Sequence, residues 1–105
     1  MRISGMAPGK LVEDLAYVDR ELERDEDSWE AWSARADILY CMGMYEESLQ
    51  CCDRSLALNS KTPLSWATKG DALCRLQRCN EAAECYRRAV ELDPIYLIAW
   101  HRDSS

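Results

Sequence analysis

A chain of 105 residues is long enough for one small domain. Its 48% hydrophobic and 30% charged content excludes a disordered chain, and a net charge of −6 argues against a partner with a phosphate backbone. Residues 1–10 lack the apolar core of a secretory signal and no stretch reaches membrane-span length, so the expected location is the cytoplasm, with neither nucleic acid nor membrane as partner.

After a flexible N-terminus over residues 1–8, Leu11, Leu15, Val18 and Leu22 fall at i, i+4, i+7 and i+11 and predict an amphipathic helix over 9–25. Its polar side carries part of an acidic run, residues 13–30, with nine acids against Arg20 and Arg24. That run is either a solvated helix face or a docking surface for a basic segment.

From Trp32 onward the chain repeats itself. Trp32, Trp66 and Trp100 are spaced by 34 and 34 residues, and pairs such as Ala36 with Gly70, Leu39 with Leu73, Cys52 with Tyr86 and Ser55 with Ala89 keep the same step. Each period predicts two helices, at 29–42 and 45–58, then at 63–76 and 79–92, with a last helix at 95–103. Small residues at Ala36 or Gly70 and Ser48 or Ala82 let helices approach closely, while Trp32, Trp66 and Tyr86 fill the gaps. Ser28 is a plausible N-cap, and Thr62-Pro63 and Asp93-Pro94 look like a cap followed by Pro at the first helical position. Gly43 is placed to end a helix in the left-handed region; Gln77 stands at the equivalent place, so that turn is expected to find another local solution.

These residues resemble the tetratricopeptide repeat, whose pattern is W-x2-L-G-x2-Y, then A-x3-F, then P. The second copy fits with Trp66, Gly70, Ala82, Tyr86, Ala89 and Leu92-Asp93-Pro94, and departs at Lys69 and Leu73; the first keeps Trp32, Gly43 and Tyr45 but has Arg35, Ala36 and Ser60. The resemblance implies an all-α fold, a right-handed superhelix of antiparallel helix pairs within one domain over 9–105. Its parts are a flanking helix at 9–25, repeats at 29–62 and 63–96, and a truncated third repeat or terminal helix at 97–105. It also implies a non-enzymatic scaffold that binds a protein or peptide, with no cofactor.

In that frame the first helix of each pair makes the concave wall. The wall residues expected to meet a peptide are Ser33, Asp37, Tyr40, Thr68, Asp71, Arg75 and Arg102. Family members that grip a peptide's C-terminal carboxylate use Lys, Arg and Asn there, so recognition of a chaperone tail is not expected. Asp37 and Asp71, one repeat apart, are either two solvated carboxylates or a seat for a Lys or Arg of a basic partner segment.

The stretch from Ile95 to Trp100 is apolar on every side. Either the chain is a piece of a longer array or another molecule covers this end, and a homodimer through Ile95, Leu97, Ile98 and Trp100 would do so. The six cysteines include no C-x-x-C pair and His101 is the one histidine, which gives little support to a metal site. Buried small-hydrophobe thiols are the plainest reading, and a cysteine-based redox or metal-responsive protein is a further alternative. No phosphate loop, histidine cluster or nucleophile motif points to catalysis.

Overall fold

The structure, a computed structural model, describes residues 8–94. Five helices follow one another: α1 (Pro8–Arg24), α2 (Trp29–Cys41), α3 (Tyr45–Leu58), α4 (Pro63–Arg75) and α5 (Cys79–Leu92). The predicted spans agree to within one residue at each end, and no strand occurs among the described residues. The expected 95–103 helix, with Ile95, Leu97, Ile98, Trp100, His101 and Arg102, lies outside the described residues.

Helix α2 pairs with α3 and α4 with α5, the two pairs join through α3 and α4, and α2 also touches α4. This is the all-α superhelix of antiparallel helix pairs that the period implies. Its core comes in two blocks. Ala36, Leu39, Cys51 and Cys52 form one, with Leu15 and Trp32 against it. Leu73, Ala82 and Cys85 form the other, with Leu49, Trp66 and Tyr86 against it.

The 34-residue step extends to individual bonds. The indole N–H of Trp32 donates to the carbonyl of Glu26 (2.8 Å), and that of Trp66 donates to the carbonyl of Ser60 (2.9 Å). Each tryptophan thus ties its helix to the turn before it. Arg54 stacks over Trp32 at 4.8 Å, and Arg88, one step on, over Trp66 at 5.2 Å. Buried hydroxyls serve the backbone: Ser48 donates to the Ala36 carbonyl (2.7 Å) and Ser55 to that of Trp29 (3.1 Å).

Helix starts follow the expected chemistry in part. Ser28 Oγ accepts from the Ala31 N–H at 3.2 Å, as an N-cap should. Pro63 opens α4, but the Thr62 side chain makes no capping bond; it is buried instead. Asp93 closes α5, its N–H donating to the Ala89 carbonyl at 2.9 Å.

The turn at Gln77 corrects the expectation of a separate solution. Gly43 has φ +83° and Gln77 has φ +67°, both left-handed. The bonds are the same too: Gly43 N–H to Tyr40 and Met44 N–H to Leu39, then Gln77 N–H to Cys74 and Arg78 N–H to Leu73. Two short bonds and an α5 that must land on Leu73 force the geometry, and glutamine accepts a steric cost that glycine avoids.

Helix α1 is in step with the array. Asp19 pairs with Arg35 at 2.8 Å, and Asp53, 34 residues later, pairs with Lys69 at 2.7 Å. Leu15, Val18 and Leu22 stand where α3 has Leu49, Cys52 and Leu56, so α1 docks on α2 as α3 docks on α4. On the opposite side the correspondence breaks: Asp14 and the exposed Tyr17 replace the buried Ser48 and Cys51. Helix α1 thus keeps the repeat pattern on the side that docks on α2, while its Val12 and Tyr17 are exposed.

Candidate functional site: the wall of helices α2 and α4

The first helices of the two pairs place their expected wall residues at two depths. Ser33 and Thr68 are 4% and 5% exposed, so they lie beneath the wall rather than on it. The Ser33 hydroxyl has no hydrogen-bond partner among the described residues. The surface is left to Asp37, Tyr40, Asp71 and Arg75. Arg102 lies outside the described residues.

These four residues form a linked set across the two helices. The Tyr40 hydroxyl accepts from Arg75 Nε at 3.1 Å, and its ring packs against Tyr45 with centroids 5.4 Å apart. Arg75 thereby bridges α4 to α2 at one end of the wall. One turn away, Asp71 accepts a hydrogen bond from the Tyr86 hydroxyl of α5. Burial and this bond together push the Tyr86 hydroxyl well above its usual titration range.

Asp37 differs from Asp71 in having no hydrogen bond or ion pair among the described residues. The α3 residue at the position equivalent to Tyr86 is Cys52, too short to do what Tyr86 does for Asp71. Asp37 is exposed, and partial desolvation by its neighbours on the wall raises its carboxyl above the ordinary carboxylate value. Burial raises that of Asp71 as well; the Tyr86 bond and Arg75 pull it back, and the charge of Asp37 pushes it up. The two carboxylates therefore sense each other across the helix pair, as the 34-residue spacing predicts. The arrangement offers an unpaired acceptor at Asp37 and a braced one at Asp71.

Sequence reasoning found both aspartates but missed the Tyr86 brace. Its signal was present in the 34-residue alignment, where Tyr86 of the second copy meets Gly70 and Cys52 of the first meets Ala36. A Cβ at residue 70 would come within 2.8 Å of Tyr86 Cε1, so glycine there lets the ring pass across α4 to Asp71.

No set of three or more metal-ligating side chains occurs among the described residues. Three of the six cysteines, Cys51, Cys52 and Cys85, are buried; Cys41 and Cys79 are exposed and Cys74 lies between. Burial pushes the Cys52 thiol up to about 12, which makes it inert. No helix among the described residues is long and apolar enough to cross a membrane.

No curated protein matches the chain. Among solved structures it is similar to the first tetratricopeptide domain of Spaghetti (RPAP3) bound to the HSP90 peptide SRMEEVD. The TM-score is 0.79 at 24% identity, covering 82% of this chain and 68% of that one. The tetratricopeptide repeat family model matches residues 29–62 and 63–96. Two adjacent matches over most of the chain, with paired helices that keep one 34-residue pattern of bonds, establish that this chain belongs to the tetratricopeptide repeat family, whose repeats build scaffolds for protein–protein contact.

Proposed function

We propose that the wall of α2 and α4 binds a segment of a partner protein and takes a Lys or Arg of that segment at Asp37 and Asp71. The carrying observation is Asp37 itself: an exposed carboxylate with no hydrogen-bond or ion-pair partner among the described residues, and a second carboxylate one repeat away. A cation placed there relieves the mutual repulsion of the two carboxylates and offsets their partial desolvation. Tyr40 and Arg75 bound the seat at one end, Arg75 lying over the Tyr40 ring at 5.9 Å and excluding a second cation.

The similar structure named above holds an acidic peptide. The opposite sign of charge is favoured here, because the wall carries two aspartates where a carboxylate-gripping wall needs cations. The role is that of a non-enzymatic scaffold without a cofactor.

A direct test compares two amidated peptides by fluorescence anisotropy at low salt: SRMEEVD and its charge-reversed form SRMKKVK. The charge-reversed peptide is expected to bind more tightly, and Asp37→Asn with Asp71→Asn to abolish the difference. Equal affinities, or a preference for the acidic peptide, would rule out the reading.

A further inference from the structure

Successive residues turn about 100° around a helix, which sets Trp32 and Arg35 on the side of α2 away from Asp37. There they line a cavity of about 480 Å³ together with Gln50, Cys51, Asp53 and Arg54 of α3. Most charge around the cavity is already matched. Arg35 donates to Asp19 at 2.8 Å and to the Cys51 sulfur at 3.0 Å, and Asp53 is held by Lys69 at 2.7 Å. Arg54 is the exception. It is exposed, its guanidinium stacks over the Trp32 ring at 4.8 Å, and it has no hydrogen bond or ion pair among the described residues.

The second repeat supplies the comparison. Arg88, one step on, stacks over Trp66 and has a carboxylate oxygen of Glu91 at 4.0 Å. Its neighbour Arg87 pairs with both Glu84 and Glu91. At the equivalent places of the first repeat, Glu84 is Gln50 and Glu91 is Ala57. The two acids that serve the arginines of α5 are thus neutral in α3, and Arg54 faces an open cavity without a carboxylate of its own helix. A guanidinium stacked on an indole keeps N–H groups that match both oxygens of a carboxylate.

We propose that this cavity docks an acidic segment of a partner protein, with a Glu or Asp carboxylate on Arg54 and an apolar neighbour of that residue against Trp32. The charge left over at Arg54 sets the sign of the ligand. The size sets its class: the cavity falls within the roughly 300–1,000 Å³ of small-ligand pockets, more than a carboxylate alone fills. The site faces away from the wall and prefers the opposite charge, so it stands independently of what the wall binds.

The test titrates the isotope-labelled chain with acetyl-Leu-Glu-Glu-Leu-amide and with its Gln-Gln counterpart, following the indole N–H signals of Trp32 and Trp66 by NMR. The Glu peptide should shift the Trp32 signal saturably, leave Trp66 in place, and bind about fivefold more tightly than the Gln peptide. Acetate at equal carboxylate concentration should give no comparable shift. Arg54→Gln should reduce the Glu peptide to the level of the Gln peptide. Ala57→Glu, an exposed change that keeps Arg54 and restores the acid of the second repeat, should do the same. Equal binding of the two peptides, or full affinity in either variant, would overturn the proposal. So would an acetate shift as large as the peptide's, which marks a site for small anions only.

Discussion

The ring of Tyr86 crosses Gly70 on its way to Asp71, leaving no room for a Cβ: one built there would sit 2.8 Å from Cε1 and 3.0 Å from Cζ. The first repeat solves the same crossing with Ala36 and Cys52, a larger residue on one helix and a smaller one on the other. Packing and the electrostatics of the wall are thus joined, since the side chain that needs the glycine is the one that braces the aspartate.

Gly70→Ala should therefore destabilise the chain by about 1–2 kcal/mol, even though alanine favours a helix by about 1 kcal/mol over glycine. Adding Tyr86→Cys, which copies the first repeat, should cost less than the two single changes summed. Urea unfolding of the four proteins measures this coupling. Additive effects would mean that the ring is free to move aside.

Gln77→Gly should stabilise by about 1 kcal/mol, because the left-handed residue at the α4–α5 turn would no longer carry a Cβ. Gly43→Ala should lose a similar amount for the opposite reason. Space is not the cause there, since nothing lies within 4 Å of where that Cβ would be. Thermal unfolding midpoints of both variants decide the matter.

The docking of α1 on α2 separates two neighbouring residues. Val18→Asp puts a charge into a site only 7% exposed and should undock the helix, with a loss of helical circular dichroism and of about 2–4 kcal/mol. Tyr17→Asp, at a site 59% exposed on the outer face, should change stability by no more than about 0.5 kcal/mol.

The wall aspartates predict a pH dependence whose sign can be worked out. Both pKa values are raised in the folded chain, so between the ordinary and the raised values the folded state binds more protons than the unfolded one. Through that window their contribution makes stability rise as pH falls, and at neutral pH both carboxylates oppose folding. Replacing both by Asn should flatten this part of the profile and raise the urea midpoint at neutral pH. The amide oxygen introduced by Asp71→Asn can still accept from the Tyr86 hydroxyl, so the brace survives the change. A bound basic peptide reverses the trend: its affinity should fall as the carboxylates protonate.

Much of the fold was legible because a repeat is read many times over. Trp32 and Trp66, Ala36 and Gly70, and Leu39 and Leu73 mark the same positions twice, and the helix bounds follow from them. The alliance of α1 with the array was missed: the sequence reads 9–25 as a flanking helix outside the pattern, because the Asp19–Arg35 and Asp53–Lys69 equivalence lies in charged pairs. Gln77 was not legible, because its conformation is imposed by where α5 must pack and not by its own preference. The depth of Ser33 and Thr68 escaped for a related reason: the period assigns a face, while burial depends on how closely α2 and α4 approach. The Tyr86–Asp71 bond joins two helices, and side-chain types alone do not show that it forms.

The most direct test of the wall as a seat for a basic segment is the affinity of SRMKKVK for the wild-type chain against its Asp37→Asn, Asp71→Asn variant at low and high salt. The prediction is a loss of about 1 kcal/mol, roughly fivefold, in the variant at low salt, shrinking as salt screens the contact. An affinity that is the same for both proteins at low salt would contradict it.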